Sequence, residues 1–368
     1  MAEEISPLEI EIRRLIALAG PMPVAEYMGL CLSHPRYGYY VTRDPIGAEG
    51  DFITAPEISQ MFGELIGVWM ASVWQQMRSP ENVRVIELGP GRGTLMVDAL
   101  RAAKVVRGFL PAIVLHFVEI SPRLRQAQQQ QLEQLKVPAM WHHSLADVPA
   151  GPSIIIANEF FDALPVHQAV KRAGQWHERV VNVASGGSLA FALARNALPQ
   201  FETTLPRALR QAQEGSIFEW RSDVAALELA NRVLKNGAAL VLDYGHSRSA
   251  MGDTLQAVHS HAYADPLQAS GQVDLTAHVD FQALAQLAEG IGTRVQGPIP
   301  QRDFLFNLGI HARAATLKAK ATEDQALAID LAMSRLITAG PRGMGELFKA
   351  LATSDPKLGP LAGFERPK

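Results

Sequence analysis

Polar and apolar positions along this chain change their period where one structural element gives way to the next. The clearest change lies between Val83 and Arg101, VRVIELGPGRGTLMVDALR. A β-branched apolar run (Val83, Val85, Ile86) has the pattern of a central strand buried on both faces. The glycines that follow permit a sharp turn, and the amphipathic segment behind them predicts a helix whose first N–H groups face that turn. Further strands are predicted at Ala112 to Glu119, around Ala139 to His142, at Ser153 to Ala157 and at Ala238 to Tyr244. After Glu119 the pattern predicts a glutamine-rich helix with Ser121 as its cap. A second helix, from about Ser222 to Lys235, is closed by Asn236-Gly237. Strict alternation through Gly174 to Pro199 predicts a hairpin. Residues up to about Pro80 read as mostly helical, interrupted by His34 to Ser59, a polar Gly- and Pro-rich segment too long for a simple turn. Beyond the fifth strand come a helix at Asp280 to Glu289, a short strand near Thr293 to Val295 and an alanine-rich helical tail.

Strands alternating with helices make this an α/β chain with a Rossmann-like parallel sheet. The expected organisation is a helical N-terminal region over residues 1–80, a core over 81–316 with an inserted lobe at about 172–221, and a helical tail over 317–368. With 368 residues and 48% apolar content a packed core is within reach. The formal charge of -3 and the scatter of basic residues give no reason to expect nucleic acid. The single cysteine, Cys31, excludes an intrachain disulfide and a cysteine zinc site. It reads as a small buried hydrophobe in the helical stretch Ala25 to Ser33. Acidic first residues and the charged side chains Glu9, Glu11, Arg13 and Arg14 argue against a secretory signal, and no apolar run is long enough to span a bilayer. The expectation is a cytoplasmic protein without membrane insertion; the oligomeric state is not legible.

The glycine turn predicts a ligand, and its spacing narrows the choice. A dinucleotide fingerprint, G-x-G-x-x-G/A, requires a small residue where this chain has Thr94. Glu87, two residues before Gly89, completes E-x-G-x-G-x-G with Gly91 and Gly93, which resembles motif I of class I S-adenosylmethionine (SAM) methyltransferases. That resemblance implies that Glu87 helps to hold the methionine end of the cofactor and that the glycines pass beneath it. Glu119, at the end of the second strand, is placed to accept both ribose hydroxyls, a device that NAD enzymes share. The fourth strand delivers Asn158-Glu159-Phe160-Phe161-Asp162 to the carboxyl edge of the sheet, and the fifth delivers Asp243-Tyr244-Gly245-His246. In class I methyltransferases the first of these positions, motif IV, faces the methyl group and the incoming nucleophile. A satisfied capping network is the alternative reading of both clusters.

Six segments together are more specific. GDFITAPEISQMFGELIGVW (Gly50 to Trp69), ELGPGRGTL (Glu87 to Leu95), NEFFDALPVHQ (Asn158 to Gln168), DYGH (Asp243 to His246), DTLQAV (Asp253 to Val258) and GQVDLTAHVDF (Gly271 to Phe281) resemble, in order, the MidA family of SAM-dependent methyltransferases. The family includes bacterial proteins and a mitochondrial complex I assembly factor. The resemblance implies a class I methyltransferase fold, SAM as cofactor, and a protein substrate methylated on arginine, such as a respiratory complex I subunit. It also implies that GDFITAPEIS is a lid over the cofactor, with Asp51, Phe52 and Thr54 as contacts, and that Tyr39 and Tyr40 either wall the acceptor channel or pack. Glu87, Gly89, Gly91, Gly93, Thr94, Glu119 and Asn158 complete the expected cofactor set.

Methyl transfer is a displacement that asks the protein chiefly to align donor and acceptor. An arginine acceptor is protonated at ordinary pH, and carboxylates can grip and orient it bidentately. Glu159, Asp162 and Asp243 are the candidates for that grip, Asp162 being equally readable as structural. His246 is the candidate proton acceptor. The remaining histidines (His142, His143, His259, His261, His278) match no metal signature beside Asp253, Asp274 and Asp280, and no metal is expected. Two other function classes stay open: an assembly factor that binds SAM without turnover, and a nicotinamide-dependent oxidoreductase, against which Thr94 and Glu87 count.

Overall fold

The computed structural model describes residues 5–43, 54–135, 137–259, 262–340 and 343–365. The chain forms two compact units, each built from separated segments. One comprises residues 53–161, 223–247 and 281–368; the other comprises 1–52, 162–222 and 248–280.

The first unit is organised by a mixed sheet. Strands Val83–Leu88, Ile113–Val118, Ala139–His142, Ser153–Asn158 and Gly237–His246 run parallel, with Val83–Leu88 between Ile113–Val118 and Ser153–Asn158. This parallel part follows the apolar runs read from the sequence, because Val83, Val85, Ile86, Ile154, Ile155 and Ile156 are wholly buried, as strands covered on both faces must be. Phe348–Ser354 then lies antiparallel between Gly237–His246 and Arg294–Pro300. The sequence reading has a helical tail there. Ala350, Leu351 and Ala352 do favour helix intrinsically, but the segment is buried from Ala350 to Asp355, and a double-sided apolar environment outweighs propensity. Helices Ile310–Lys318 and Glu323–Ile337 account for the helical part of that tail.

Helix Thr94–Ala103 packs on Gln60–Gln76, which belongs to this unit and not to a separate N-terminal region. The close approach rests on glycine: a Cβ built on Gly67 would fall 2.0 Å from the Ala99 carbonyl oxygen. Across the same contact Glu64 is buried and receives both Arg313 Nε and Arg313 Nη2 at 2.7 Å, while Arg101 Nη2 donates to Asp98 Oδ1 at 2.6 Å.

The second unit joins helices Pro7–Ala19 and Val24–Ser33 to an antiparallel sheet in the order Met22–Pro23, Gln175–Val183, Val166–Arg172, Ile217–Arg221, with Leu189–Ala197 also pairing with Gln175–Val183. The hairpin expected over Gly174 to Pro199 is part of that sheet. The segment in this unit begins at Asp162 and not near residue 172, because Val166–Arg172 pairs with Ile217–Arg221. Leu8, Ile12, Tyr27, Met28, Leu32, Val166, Val181 and Leu275 form its core. Cys31 is buried there as a free thiol.

Candidate active site

Strand Val83–Leu88 runs into a turn in which Gly89, Gly91 and Gly93 all have positive φ, at 61°, 55° and 87°. Gly93 is the N-cap of helix Thr94–Ala103, and a Cβ there would lie 3.4 Å from the Gln128 side chain in a left-handed conformation that costs other residues strain. Positive φ at all three positions is what favours glycine in this turn. Glu87, shortly before it, is 3% exposed, and its Oε2 has no hydrogen-bond partner among the described residues. Burial pushes its carboxyl up to about 8, and the neighbouring Glu119 carboxylate adds to the rise.

Glu119 is held more fully. Its Oε1 accepts the Ser121 N–H at 2.8 Å, and its Oε2 accepts from Gln128 Nε2 at 3.3 Å. Burial raises its pKa, against those hydrogen bonds, which lower it. The same Gln128 amide donates to the Gly91 carbonyl at 2.7 Å, and its oxygen accepts from Trp141 Nε1 at 2.7 Å. Gln128 is wholly buried and ties the glycine turn to Glu119 and to the neighbouring strand. The sequence reading passes over it as one of several glutamines. Its signal is position, since Leu124, Gln128 and Leu132 recur at intervals of four on the buried face of helix Pro122–Leu132.

At the end of Ser153–Asn158, Asn158 Nδ2 donates to Glu159 Oε1 at 3.3 Å, while Asn158 Oδ1 is buried without a partner among the described residues. Glu159 takes φ 49°, in the left-handed region, and its Oε1 also accepts the Ala55 N–H at 3.2 Å. Ala55 opens the short helix Ala55–Ile58, for which Thr54 is the N-cap residue without a side-chain cap bond. Thr94 Oγ1 donates to Glu57 Oε1 at 2.6 Å. Glu57 is a second residue that sequence reading missed; only its place in the APEI segment signalled it. Asp51 and Phe52 lie outside the described residues.

Asp243 is held by main chain. It is fully buried, its Oδ2 accepts the N–H groups of Phe160 at 3.2 Å and Phe161 at 2.9 Å, and its Oδ1 accepts the Tyr244 N–H at 2.9 Å. These main-chain bonds hold the loop after Asn158 and fit the capping-network alternative. His246 is the partly buried last residue of Gly237–His246.

Asp162 belongs to the other unit, so Glu159, Asp162 and Asp243 do not form one cluster within a unit. In that unit the Asp162 carbonyl accepts from Ala277 N at 3.1 Å and from Arg221 Nη2 at 3.3 Å. Arg221 also donates to the carbonyls of Leu164, Ala277 and His278, stitching the NEFFDALP segment to DLTAHVDF. Tyr40 donates to Asp274 Oδ1 at 3.0 Å; burial raises its hydroxyl pKa well above the usual value, with the Asp274 and Asp162 charges adding. Tyr39 is wholly buried in the core of this unit. Among the described residues no group of three or more His, Cys, Asp or Glu is placed to hold a metal ion, and no helix is long and apolar enough to cross a membrane.

The set Glu87, Gly89, Gly91, Gly93, Glu119 and Asn158 suits an adenosyl amino acid. Among the described residues two buried polar atoms, Glu87 Oε2 and Asn158 Oδ1, lack partners beside a turn whose three glycines all take positive φ. Residues 65–299 match the family model described as "Putative S-adenosyl-L-methionine-dependent methyltransferase". A relative named protein arginine methyltransferase NDUFAF7 homolog, mitochondrial, of Drosophila melanogaster is 40% identical over 93% of this chain and 83% of its own length. The chain belongs to this methyltransferase family. The human protein arginine methyltransferase NDUFAF7, mitochondrial, is 38% identical over 95% of this chain and 83% of its own. A Burkholderia thailandensis protein, described as a "likely methyl transferase" and crystallised with S-adenosyl-homocysteine, superposes with a TM-score of 0.85 at 29% identity, covering 98% of this chain and 94% of that one. The fold is therefore that of the class I SAM-dependent methyltransferases and SAM is the cofactor, in keeping with the MidA resemblance; the oxidoreductase reading falls away.

Proposed function

We propose that this methyltransferase acts on an arginine of a protein, a subunit of respiratory complex I or a protein like it. The observation that carries the reading is the similarity over nearly the whole chain to relatives named protein arginine methyltransferases. SAM, when bound, supplies an electrophilic methyl group. The chain's own residues have to seat it and prepare the acceptor. Glu87 and Asn158 offer unpartnered oxygens to the amino acid end, and Glu119, already oriented by Ser121 and Gln128, offers a carboxylate to the ribose. On the acceptor side, guanidinium is charged at all ordinary pH and its electrons are delocalised. A carboxylate hydrogen-bonded to it concentrates the positive charge on the bound nitrogens and fixes the orientation of the third. Glu159 is the group proposed for that role, with Asp243 holding its loop and His246 accepting the proton that the methylated nitrogen releases.

One observation favours a second reading. Glu159 Oε1 already serves Ala55 and Asn158, as expected of a structural carboxylate, which would suit an assembly factor that binds SAM without turnover. The deciding experiment incubates wild type and Glu159→Gln with methyl-labelled SAM and an extract of cells that lack this protein, then hydrolyses the labelled proteins to amino acids. Methylarginine made by the wild type and not by the variant, with S-adenosylhomocysteine (SAH) still bound by both, supports the proposal. Label on another amino acid, or none from the wild type, refutes it.

A further inference from the structure

We propose that Glu57 is a specificity-determining residue that keeps phosphate-bearing nucleotides out of the glycine turn and so reserves it for an adenosyl cofactor. The inference rests on the SAM assignment above and deepens it.

A glycine turn that opens into a helix is where dinucleotide-binding proteins seat a pyrophosphate, because the first N–H groups and the positive end of the helix dipole favour an anion. Helix Thr94–Ala103 begins in that way, after left-handed Gly93 and without a side-chain cap from it. An anion is nevertheless present, because Glu57 Oε1 accepts the hydroxyl of Thr94, the first residue of the helix, at 2.6 Å. Thr94 is the position at which this chain departs from the dinucleotide pattern, and the departure supplies the hydroxyl that tethers the carboxylate.

The charge around the first turn points the same way. Asp98, one turn further along the helix, is buried, as is Glu64 on the adjoining helix, and Arg101 and Arg313 pair with them. Both guanidinium groups are thus engaged by Asp98 and Glu64. A phosphate brought to the turn meets the Glu57 carboxylate at the helix end that would otherwise attract it, an encounter of like charges that grows costly as water is excluded. A sulfonium cofactor carries no phosphate, and its one carboxylate is offset by its ammonium and sulfonium charges, so the repulsion is far smaller. Arg92, within the turn, is a cation that pulls the other way.

The test compares SAH, adenosine and ADP by titration calorimetry on the full chain as wild type, Glu57→Gln and Glu57→Asp. All three ligands share the adenosine moiety, so the ratio of ADP to adenosine isolates the phosphates and the ratio of SAH to adenosine isolates the amino acid end. Wild type should favour SAH over ADP, and Glu57→Gln should shift the ratio toward ADP by tenfold or more while leaving the ratio of SAH to adenosine in place. Glu57→Asp keeps the charge and should keep ADP excluded even where SAH weakens. A ratio of SAH to ADP that is unchanged in Glu57→Gln, including equal loss of both ligands, overturns the proposal and leaves Glu57 as a strut between Ala55–Ile58 and the turn. A wild type that binds no SAH defeats the SAM assignment itself, an outcome distinct from an unchanged ratio in a protein that binds it.

Discussion

Replacing Glu87 by glutamine should stabilise the ligand-free protein and weaken its cofactor affinity, two effects of opposite sign from one atom pair. Glu87 titrates near 4.5 when exposed and near 8 in the fold, chiefly because burial disfavours its charge. Between those pH values the folded protein holds a proton that the unfolded chain has lost. The folded state gains from that group below about pH 4.5, and the gain is lost as pH rises toward 8. The slope is about 1.4 kcal/mol per pH unit at its steepest, and the whole window is worth up to about 5 kcal/mol. Glutamine has no proton to lose, so its stability relative to wild type should climb across the same window. Urea unfolding of both proteins at pH 5.5, 6.5 and 7.5 measures the difference. At the lowest pH the two should lie within about 1 to 2 kcal/mol, the cost of an imperfectly paired buried amide. At the highest the variant should lead. Bound SAH should narrow that lead, because its ammonium group favours an ionised Glu87 and the charge-assisted hydrogen bond that results, worth about 1.5 to 3 kcal/mol, is missing from the variant, roughly a tenfold to hundredfold loss of affinity. A stability difference that stays flat with pH would refute the argument, since it would mean that Glu87 is ionised in the fold as easily as outside it.

Three other outcomes follow from the same geometry. Gln128→Leu strips partners from Trp141 Nε1, the Gly91 carbonyl and Glu119 Oε2 and should cost about 3 kcal/mol or more of stability by urea unfolding. Asp243→Asn sets an amide NH₂ against main-chain N–H groups; it should lower kcat in the labelling assay with little change in KM for SAM, and an unchanged kcat would deny the loop-holding role. Gly67→Val drives its Cβ into the Ala99 carbonyl and should lower stability by about 3 kcal/mol, with loss of Tm as the readout.

Local chemistry made much of this molecule legible in its sequence. The parallel strands, the glycine turn, the Ser121 cap and the end of the helix before Asn236 depend on neighbours within a few residues, and each appears at its expected place. Ser121 Oγ accepts the Leu124 N–H, and Asn236 takes φ 61°. What escaped depends on distant partners. Phe348–Ser354 is a strand because residues 237–246 and 294–300 flank it, and nothing within ALATS says so. Glu57 matters because Thr94 lies opposite, and Gln128 because a turn and a tryptophan converge on it. Asp243 looked like chemistry for the same reason that it serves structure: a carboxylate at a strand end can bind either a guanidinium or a row of N–H groups. The unit boundaries were obscured because each unit is assembled from three stretches of chain.

The place of Phe348–Ser354 in the sheet also bears on how the chain is made. Residues 237–246 leave the ribosome long before the strand that covers their free edge, and at about 5 to 20 residues per second that wait lasts several seconds or more. Throughout it the edge of a long, apolar strand is exposed to other nascent chains. Production at high rates should therefore yield aggregates that a holding chaperone prevents, and a stop codon placed before residue 348 should leave a product that is insoluble even though the cofactor turn is intact.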